Sequence, residues 1–287
     1  MGWLVTGASG MLGTDLCRVL DRNGISVTRV DRGDLNLLDP VAVGEAVAGH
    51  EVVVNCAAWT AVDLAEAHEA EALEINATAA GVLARAAGEH GALVVHVSTD
   101  YVFDGTARTP YDEDASPSPL SAYGRTKAAG ERTVRVEAPE RHLILRTAWL
   151  YGAHGSCFPR TIARRAIDKG AVDVVDDQVG PPTWTRDVAD LMVRLVQAEA
   201  PTGTWHATAG GQTTWCGFAR EVVAAVGLPP DVISPVDSAT FPREAPRPAY
   251  SVLGRDRLVH HGIEPIGHWQ QRWRVAASEV LELEQLE

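Results

Sequence analysis

Apolar positions along the first half of the chain follow two alternating patterns. Short and nearly continuous hydrophobic runs lie at positions 2–6, 25–30, 51–55 and 93–98. Such runs are typical of strands buried on both faces of a parallel sheet. The segments between them show helical spacing, first at Leu12, Leu16, Val19 and Leu20 and again from Pro40 onward. This alternation predicts an α/β fold built on an open parallel sheet.

The first predicted strand runs directly into a glycine-rich turn. Gly7, Gly10 and Gly13 precede and open the first predicted helix, which permits a tight turn and a close approach of the backbone to a bound group. The free N–H groups at the helix N-terminus suit a pyrophosphate. The order of strand, turn and helix therefore predicts a dinucleotide site on a Rossmann-type, doubly wound parallel sheet.

Two neighbouring residues of opposite charge follow the second predicted strand. Asp31 lies about 20 residues after the glycines, where an acidic residue binds the ribose 2′-hydroxyl of NADH. Arg32 follows directly and suits the 2′-phosphate of NADPH. The sequence leaves both coenzymes open.

The third predicted strand ends in small residues, Ala57 and Ala58, followed by Thr60. Small side chains at the carboxyl end of a strand leave room for a flat ligand over the sheet edge. An alanine-rich helix is predicted over 66–90, and Asn76 is the polar residue in it that we expect to point inward. The simpler interpretation of Asn76 is a buried amide that satisfies backbone groups.

A tyrosine and a lysine, Tyr123 and Lys127, lie one helical turn apart after the fourth strand. A free phenol has a pKa near ~10, and a nearby ammonium stabilises the phenolate and lowers that pKa. Alone, this spacing is most often a surface pair. Thr99 ends the fourth strand, where its hydroxyl can hydrogen-bond the carbonyl oxygen that Tyr123 protonates. On one dinucleotide-binding fold, the three residues predict a catalytic set.

Beyond residue 150 the regular alternation loosens, and glycine and proline become frequent. Helices are predicted at 157–169, 185–199, 214–226 and 268–286, with short strands at 172–175 and 204–207. We predict a dinucleotide-binding domain over residues 1–150. Residues 151–287 are predicted to form mainly a small substrate-binding cap over the carboxyl edge of the sheet.

Composition narrows the classes of partner. The 287-residue chain has a formal net charge of −13, which disfavours nucleic acid and anionic membrane surfaces. Its four cysteines lack a C-x-x-C spacing, its ten histidines form no metal-ligand motif, and no signal peptide or long apolar run appears. We expect a cytoplasmic protein with reduced thiols, no metal, no nucleic-acid partner and no membrane association.

Seven motifs resemble those of the extended short-chain dehydrogenase/reductases, and within them the dTDP-4-dehydrorhamnose reductase family. They lie at 7–13, 57–63, 98–105, 123–127, 146–152, 176–183 and 247–248. The resemblance covers nearly the whole chain. The middle motifs are more specific than the glycines and separate this family from other reductases of the same fold.

The resemblance implies reduction of the C4 keto group of a dTDP-4-keto-6-deoxyhexose by NADPH or NADH. It makes Tyr123 the proton donor and Thr99 the group that polarises the substrate carbonyl. It gives Lys127 two roles, lowering the pKa of Tyr123 and binding the nicotinamide ribose. The implied product is dTDP-L-rhamnose, made from dTDP-4-dehydro-L-rhamnose, or a related deoxysugar of secondary metabolism.

Motifs and resemblance together give two sets of binding residues. The predicted cofactor site consists of Gly7, Ser9, Gly10, Met11, Leu12, Gly13, Asp31, Arg32, Asp34, Leu35, Ala57, Ala58, Thr60, Tyr123 and Lys127. The predicted substrate residues are Thr99, Asp100, Tyr123, Trp149, Gln178, Thr183 and Arg247. Two of these have simpler interpretations from sequence alone: Trp149 as a core aromatic and Arg247 as a solvated loop arginine.

Two other functions fit the same motifs. One is an extended-family nucleotide-sugar epimerase or dehydratase that keeps its NAD bound. The other is a non-catalytic regulatory subunit of the methionine adenosyltransferase type. Some relatives look like magnesium-linked dimers; Asp15 could supply one carboxylate, but Arg186 stands where a second is needed. We therefore predict no metal and leave a homodimer open.

Overall fold

The computed structural model of the chain describes residues 2–282. The strands are β1 (Gly2–Thr6), β2 (Ser26–Val30), β3 (Val52–Asn55), β4 (Leu93–Thr99), β5 (His142–Thr147), β6 (Leu150–Tyr151), β7 (Val172–Val175), β8 (Val179–Gly180), β9 (Thr183–Trp184), β10 (Gly203–His206), β11 (Thr213–Thr214) and β12 (Ile233–Val236). The helices are α1 (Met11–Arg22), α2 (Pro40–Val47), α3 (Val62–Ala67), α4 (Glu69–Leu73), α5 (Ala79–Glu89), α6 (Ala122–Glu137), α7 (Phe158–Lys169), α8 (Thr185–Gln197), α9 (Trp215–Ala225), α10 (Asp256–His260) and α11 (Trp269–Leu281).

Six parallel strands form the central sheet, in the order β10-β5-β4-β3-β1-β2. The chain leaves β1 toward β2 on one side and returns to β3 on the other, so the strand order reverses between β1 and β3. In such sheets, ligands bind outside the carboxyl ends of the strands at this switch point. The predicted α/β fold with a doubly wound parallel sheet is confirmed.

Alternating side chains of the strands feed two cores, one on each face of the sheet. Trp3 and Val5 of β1 pack on one face, in a core that also contains buried residues of α1 and α8. Leu4, between them, packs on the other face against α2, α5 and α6. Both faces of the sheet are therefore covered by helices, which explains why its strands are apolar throughout.

The predicted helix over 66–90 is interrupted. The chain forms α3, breaks at His68, and then continues through α4, a π-helical turn at Glu74–Thr78, and α5. Asn76 lies within the π turn and is buried. A π turn adds a residue to the helix and is often found at functional sites.

The second half of the chain does not separate from the sheet at residue 150. The strand predicted at 204–207 as part of the cap is β10, which pairs with β5 and completes the central sheet. α8 packs against α1 on one face of that sheet. Both predicted positions are correct, but β10 lies in the central sheet and α8 packs on it, rather than either belonging to a separate cap.

The other predicted elements of this half form a smaller layer beside the sheet. α7, α9 and α11 pack together, and β7 pairs in parallel with β12. The helices predicted at 157–169, 185–199 and 214–226 are confirmed within one or two residues at each end. The last predicted helix is α11, and the end expected at residue 286 lies outside the described residues.

Candidate active site

A cavity of about 1470 Å³ lies at the carboxyl ends of β1, β3 and β4. Its walls come from the glycine turn, the loop after β2, the small residues after β3 and the first two turns of α6. Trp149, at the end of β5, and Trp215, at the start of α9, close it from the side of the smaller layer. The cavity therefore occupies the predicted switch point.

The turn after β1 requires glycine at two positions. Gly7 has a φ of +66°, and a Cβ there would lie 2.8 Å from the backbone nitrogen of Ala57 at the end of β3. A Cβ on Gly13 would lie 2.1 Å from the carbonyl oxygen of Gly7. Because both residues lack a Cβ, α1 can lie close to β1, and the first turn of α1 lines the cavity. No side chain caps α1 at Gly10, so the N–H groups of its first turn suit the pyrophosphate of a dinucleotide.

The loop after β2 holds its acidic residue in place. Both oxygens of Asp31 accept hydrogen bonds from the backbone nitrogen of Ser9, at 3.0 and 3.1 Å, and Ser9 Oγ donates to Asp31 Oδ1 at 2.8 Å. Asp34 accepts from the Asp31 nitrogen at 2.9 Å, and so shapes the loop from behind the cavity wall. Arg32 and Leu35 both line the cavity.

The three predicted catalytic residues meet in this cavity. Thr99 and Lys127 are buried, Tyr123 is half-buried, and all three line the wall. The Ser121 side chain caps α6 by accepting from the Gly124 nitrogen at 3.1 Å, which fixes the first turn where Tyr123 lies. The ring of Tyr101 packs edge-on against Tyr123, with centroids 5.6 Å apart.

The expected effect of Lys127 on Tyr123 does not hold in this structure. Burial raises the pKa of Tyr123 to about 12; a hydrogen bond with Thr99 acts in the opposite direction, and the charge of Asp100 adds to the rise. The Lys127 ammonium donates instead to the carbonyl oxygen of Val97 at 2.6 Å. Tyr123 is therefore a phenol that keeps its proton at neutral pH, which suits a proton donor.

Lys127 itself is tuned by its surroundings. Burial lowers its pKa to about 8, and the negative charge of Glu131, one turn further along α6, opposes that shift. The ammonium is thus still mostly charged at neutral pH. Glu131 is a residue that the sequence analysis missed, although its i,i+4 spacing from Lys127 could have identified it.

Glu131 anchors α6 to the sheet through a buried ion pair. Its carboxylate accepts from Nε and Nη2 of Arg146, both at 2.8 Å, and from Ser98 Oγ at 2.7 Å. Arg135 adds a fourth hydrogen bond at 3.0 Å. Glu131 and Arg146 are both essentially inaccessible to solvent. Arg146 comes from β5 and Ser98 from β4, so this carboxylate ties the catalytic helix to two strands.

Asn76 links the helix after β3 to the catalytic helix. Its amide oxygen accepts from the Trp59 nitrogen at 2.9 Å, and its amide nitrogen donates to the Trp59 oxygen and to Thr126 Oγ1, at 3.2 and 3.0 Å. Thr126 Oγ1 in turn donates to the Tyr123 carbonyl at 2.9 Å. The prediction of an inward amide that satisfies backbone groups is confirmed.

Two stacked tryptophans form one wall of the cavity. The rings of Trp149 and Trp215 are parallel within 5°, with centroids 3.6 Å apart. Trp149 has a φ of +49°, uncommon for a residue with a Cβ, and its ring packs on Gly180, where a Cβ would lie 2.4 Å from a ring atom. The sequence analysis predicted Trp149 but missed Trp215. It also missed His154 and Ser156, which line the same cavity.

Three predicted substrate residues do not line the cavity. Thr183 is fully buried, and its hydroxyl donates to the Pro181 oxygen and accepts from the Ala209 nitrogen. Its hydrogen-bonding capacity therefore serves the fold, and the predicted substrate contact would require a rearrangement. Gln178 is half-buried, near β8.

Arg247, the third of these residues, is held in an ion pair rather than solvated. Its Nη2 lies 2.9 Å from Asp63 Oδ1, and its Nη1 donates to the Ala245 oxygen at 2.9 Å. The guanidinium also lies over the ring of Tyr101, 5.9 Å from its centroid. Tyr101 lines the cavity, so Arg247 contacts a residue of the cavity wall without lining the cavity itself.

Asp15 lies in a separate and smaller cavity of about 430 Å³, beside Arg186. Asp15 accepts a hydrogen bond from Thr185 Oγ1, and burial raises the pKa of its carboxyl. Arg186 forms an ion pair with Glu279 at 3.4 Å. Within residues 2–282, no group of three or more His, Cys, Asp or Glu side chains is placed to hold a metal ion. The absence of a metal stays a prediction.

Comparison with known proteins gives the family. Residues 1–282 match the family model described as RmlD substrate binding domain. The dTDP-4-dehydrorhamnose reductase of Streptomyces griseus is 48% identical over 274 residues, which cover 93% of this chain and 90% of that protein. The chain belongs to the dTDP-4-dehydrorhamnose reductase family. Its fold and its enzyme class, a 4-ketoreductase, follow from that membership.

Two further relatives frame the question of substrate and cofactor. A probable dTDP-4,6-dihydroxy-2-methyloxan-3-one 4-ketoreductase of Streptomyces antibioticus is 47% identical and covers 99% of this chain and 97% of its own. The structure of a Bacillus anthracis dTDP-4-dehydrorhamnose reductase in complex with NADP is 31% identical, with a TM-score of 0.92 over 96% of this chain and 98% of that one. Members of the family at this level of identity therefore carry different substrate names.

Proposed function

We propose that the protein uses NADPH or NADH to reduce the C4 keto group of a dTDP-4-keto-6-deoxyhexose. The observation that carries the proposal is the meeting of Thr99, Tyr123 and Lys127 in one cavity with the glycine turn after β1. At this dinucleotide site, Thr99 supplies a hydroxyl that can polarise a carbonyl, Tyr123 a protonated phenol that can donate a proton, and Lys127 a buried cation. The 48% identity to a named dTDP-4-dehydrorhamnose reductase supports the same reaction.

The residues around the cavity fit a dinucleotide. The uncapped first turn of α1 would hold the pyrophosphate at Gly10, Met11 and Leu12. The loop of Asp31 and Arg32 would hold the adenosine ribose, and Ala58 and Thr60 would lie at the nicotinamide end. The nicotinamide, when bound, supplies the hydride.

The chain's own residues position the carbonyl and deliver the proton. The hydroxyls of Thr99 and Tyr123 hold the carbonyl oxygen, and Tyr123 gives up its phenolic proton as negative charge develops there. Lys127 keeps a mostly charged ammonium at neutral pH and would bind the nicotinamide ribose, the second role that the family resemblance gives it. The protein thus contributes positioning and electrostatics.

The sugar is the open part of the proposal. Dehydro-L-rhamnose, giving dTDP-L-rhamnose, is one candidate, and a related deoxysugar of secondary metabolism is the other, since both kinds of name occur among relatives of 47–48% identity. The test follows the absorbance of NADPH or NADH with dTDP-4-keto-6-deoxy sugars generated in the cuvette, with and without a 3,5-epimerase. Oxidation that requires the epimerase identifies the rhamnose-type substrate.

The same assay separates the two alternative functions. Stoichiometric consumption of NAD(P)H excludes an epimerase or dehydratase that returns its hydride to bound NAD. Absence of oxidation with every sugar, together with a stable complex with a larger enzyme, favours a regulatory subunit. The better coenzyme decides whether Asp31 or Arg32 sets the cofactor preference.

Localisation and assembly complete the proposal. All four cysteines are free, and three of them are buried, as suits a reducing cytoplasm. In the described part of the chain, no helix has both the length and the apolar character needed to cross a bilayer. We propose a cytoplasmic enzyme that binds no nucleic acid, and a homodimer is to be tested by its mass in solution.

A further inference from the structure

The hydroxyl of Thr99 has one hydrogen and two competing acceptors. Thr99 Oγ1 donates to Asp100 Oδ1 at 2.9 Å and accepts from the Tyr101 nitrogen at 3.2 Å. A hydrogen bond from this hydroxyl to the phenol oxygen of Tyr123 would lower the pKa of Tyr123, so the phenol oxygen is the second acceptor. A threonine hydroxyl can donate to only one acceptor at a time. In this structure Asp100 takes that hydrogen.

This arrangement conflicts with the role of Thr99 in the proposed reaction. To polarise a carbonyl, Thr99 has to donate its hydrogen to the carbonyl oxygen. A charged carboxylate is a stronger acceptor than a neutral carbonyl, so ionised Asp100 retains the hydrogen. A protonated Asp100 is itself a donor. Its O–H would donate to Thr99 Oγ1 and release the threonine hydrogen to the substrate.

The surroundings of Asp100 favour its neutral form. Asp100 is 2% exposed and lines the cavity, and its Oδ2 has no hydrogen-bond partner among the described residues. Burial raises the pKa of its carboxyl to about 6, while the hydroxyls of Ser251 and Thr99 and nearby backbone N–H groups oppose that rise. A substrate that displaces water from the cavity would raise the pKa further.

The groups facing Asp100 come from three parts of the fold. Tyr123 on α6 interacts with its charge, and Ser251 faces it from the segment that follows β12. Tyr101, its neighbour in the chain, interacts with the charge of Asp100 and with both members of the Arg247–Asp63 ion pair. Both tyrosines stay neutral near pH 7, because burial raises the pKa of each.

We propose that Asp100 is a positioning residue whose neutral form turns the hydroxyl of Thr99 toward the substrate carbonyl. This inference rests on the proposed ketoreductase function and assigns Asp100 a role beyond contact with the sugar. The required form of Asp100 is the protonated one. kcat is therefore at its maximum when the pH is below the pKa of Asp100, and it falls as the pH rises through that pKa.

The test compares pH profiles of kcat for the wild type and Asp100→Asn. The asparagine stays neutral, and its amide N–H can donate to Thr99 Oγ1 as the protonated acid does. We expect kcat of the wild type to fall about 100-fold, as for the loss of one donor to the carbonyl oxygen, along a limb that begins at or above pH 6. This limb should be missing in Asp100→Asn. A second limb, near pH 8, belongs to Lys127 and should persist in both proteins.

Two threonine variants keep the test decisive if Asp100→Asn does not fold. Thr99→Ser retains a single hydroxyl hydrogen and should keep the lower limb. Thr99→Val has no hydroxyl, so its residual activity should lack that limb. Circular dichroism and NADPH binding, followed by fluorescence, check that each variant is folded.

Each result has one meaning. A lower limb that persists unchanged in Asp100→Asn or in Thr99→Val overturns the inference while leaving the ketoreductase function intact. A change in KM for the sugar nucleotide without a change in the limb assigns Asp100 to substrate contact alone, and likewise overturns it. Absence of NAD(P)H oxidation by the wild type with every dTDP-4-keto sugar overturns the proposed function itself, and the inference with it.

Discussion

Replacing Glu131 with glutamine should destabilise the protein strongly, because it breaks the buried ion pair beneath the catalytic helix. Arg146 has 1% of its side chain exposed and directs Nε and Nη2 at the two oxygens of Glu131. Glutamine has nearly the same shape, but it is neutral, and its NH2 group would replace one of the two oxygens that accept hydrogen bonds from Arg146 and its neighbours. The variant therefore leaves the guanidinium charge buried and uncompensated.

The magnitude follows from this burial. Removing one partner of a buried ion pair costs about 3–5 kcal/mol of unfolding free energy. At roughly 2–4 °C per kcal/mol for a protein of this size, Tm should fall by roughly 6–20 °C. Differential scanning calorimetry measures that fall, and urea unfolding measures the free energy.

Glu137 on the same helix provides a matched control. Glu137 forms the same bidentate ion pair, with Nε and Nη2 of Arg85 both at 2.8 Å. In contrast to Arg146, however, 62% of the Arg85 side chain is exposed. Water screens such a pair, so Glu137→Gln should leave Tm nearly unchanged. Equal shifts in Tm for the two variants would show that burial of the Glu131 pair does not matter, and would refute the reasoning.

The difference between wild type and Glu131→Gln should also depend on pH in one direction. Burial alone would raise the pKa of Glu131, but Arg146, Ser98 and Arg135 together lower it to about 2 from an ordinary value of 4.5. A carboxylate with a depressed pKa stabilises the fold above its unfolded pKa and loses that effect as the pH falls. The gap in unfolding free energy should be constant at neutral pH and shrink between pH 4.5 and 2.

The central sheet and the catalytic set were predictable because parallel strands bring distant motifs to one edge. Gly7, Thr99 and Tyr123 are far apart in sequence, yet each follows or faces the carboxyl end of a strand. Once the alternation of strand and helix predicts a parallel sheet, those ends lie together. Local spacing then suffices to place Lys127 beside Tyr123 in the same cavity.

The position of β10 was not predictable from its own residues. Gly203–His206 is a run of four residues with one large apolar side chain, Trp205, and so short a run has no feature that assigns it to one sheet rather than another. Its partner strand is β5, in which Leu143, 60 residues earlier in the chain, pairs with Gly203. The choice of sheet depends on where α8 packs, and that is a tertiary property.

Side-chain direction and burial account for the remaining differences. The hydroxyl of Thr183 serves Pro181 and Ala209 rather than the cavity, and a motif match does not give that direction. Burial raises the pKa of Tyr123, and the ammonium of Lys127, which was expected to lower it, donates to the Val97 oxygen instead. Trp215 lines the cavity and stacks on Trp149, a tertiary contact that the sequence around Trp215 does not indicate.

Three further changes test the site. Tyr123→Phe should reduce kcat by at least about 100-fold, because it removes the proton donor, while NADPH affinity measured by fluorescence stays near that of the wild type; near-normal turnover would contradict the mechanism. Gly13→Ala should weaken NADPH binding and lower Tm, because its Cβ would lie 2.1 Å from the Gly7 oxygen. Gly44→Ala on α2 is the control: a Cβ there meets nothing within 4 Å, so NADPH affinity should not weaken and Tm should not fall. Trp215→Leu should raise KM for the sugar nucleotide several-fold with NADPH affinity unchanged, because leucine cannot hold the Trp149 ring at the stacking distance of 3.6 Å. Trp215→Phe keeps an aromatic face and should recover most of that loss, so equal KM values for the leucine and phenylalanine variants would show that the stack does not position Trp149.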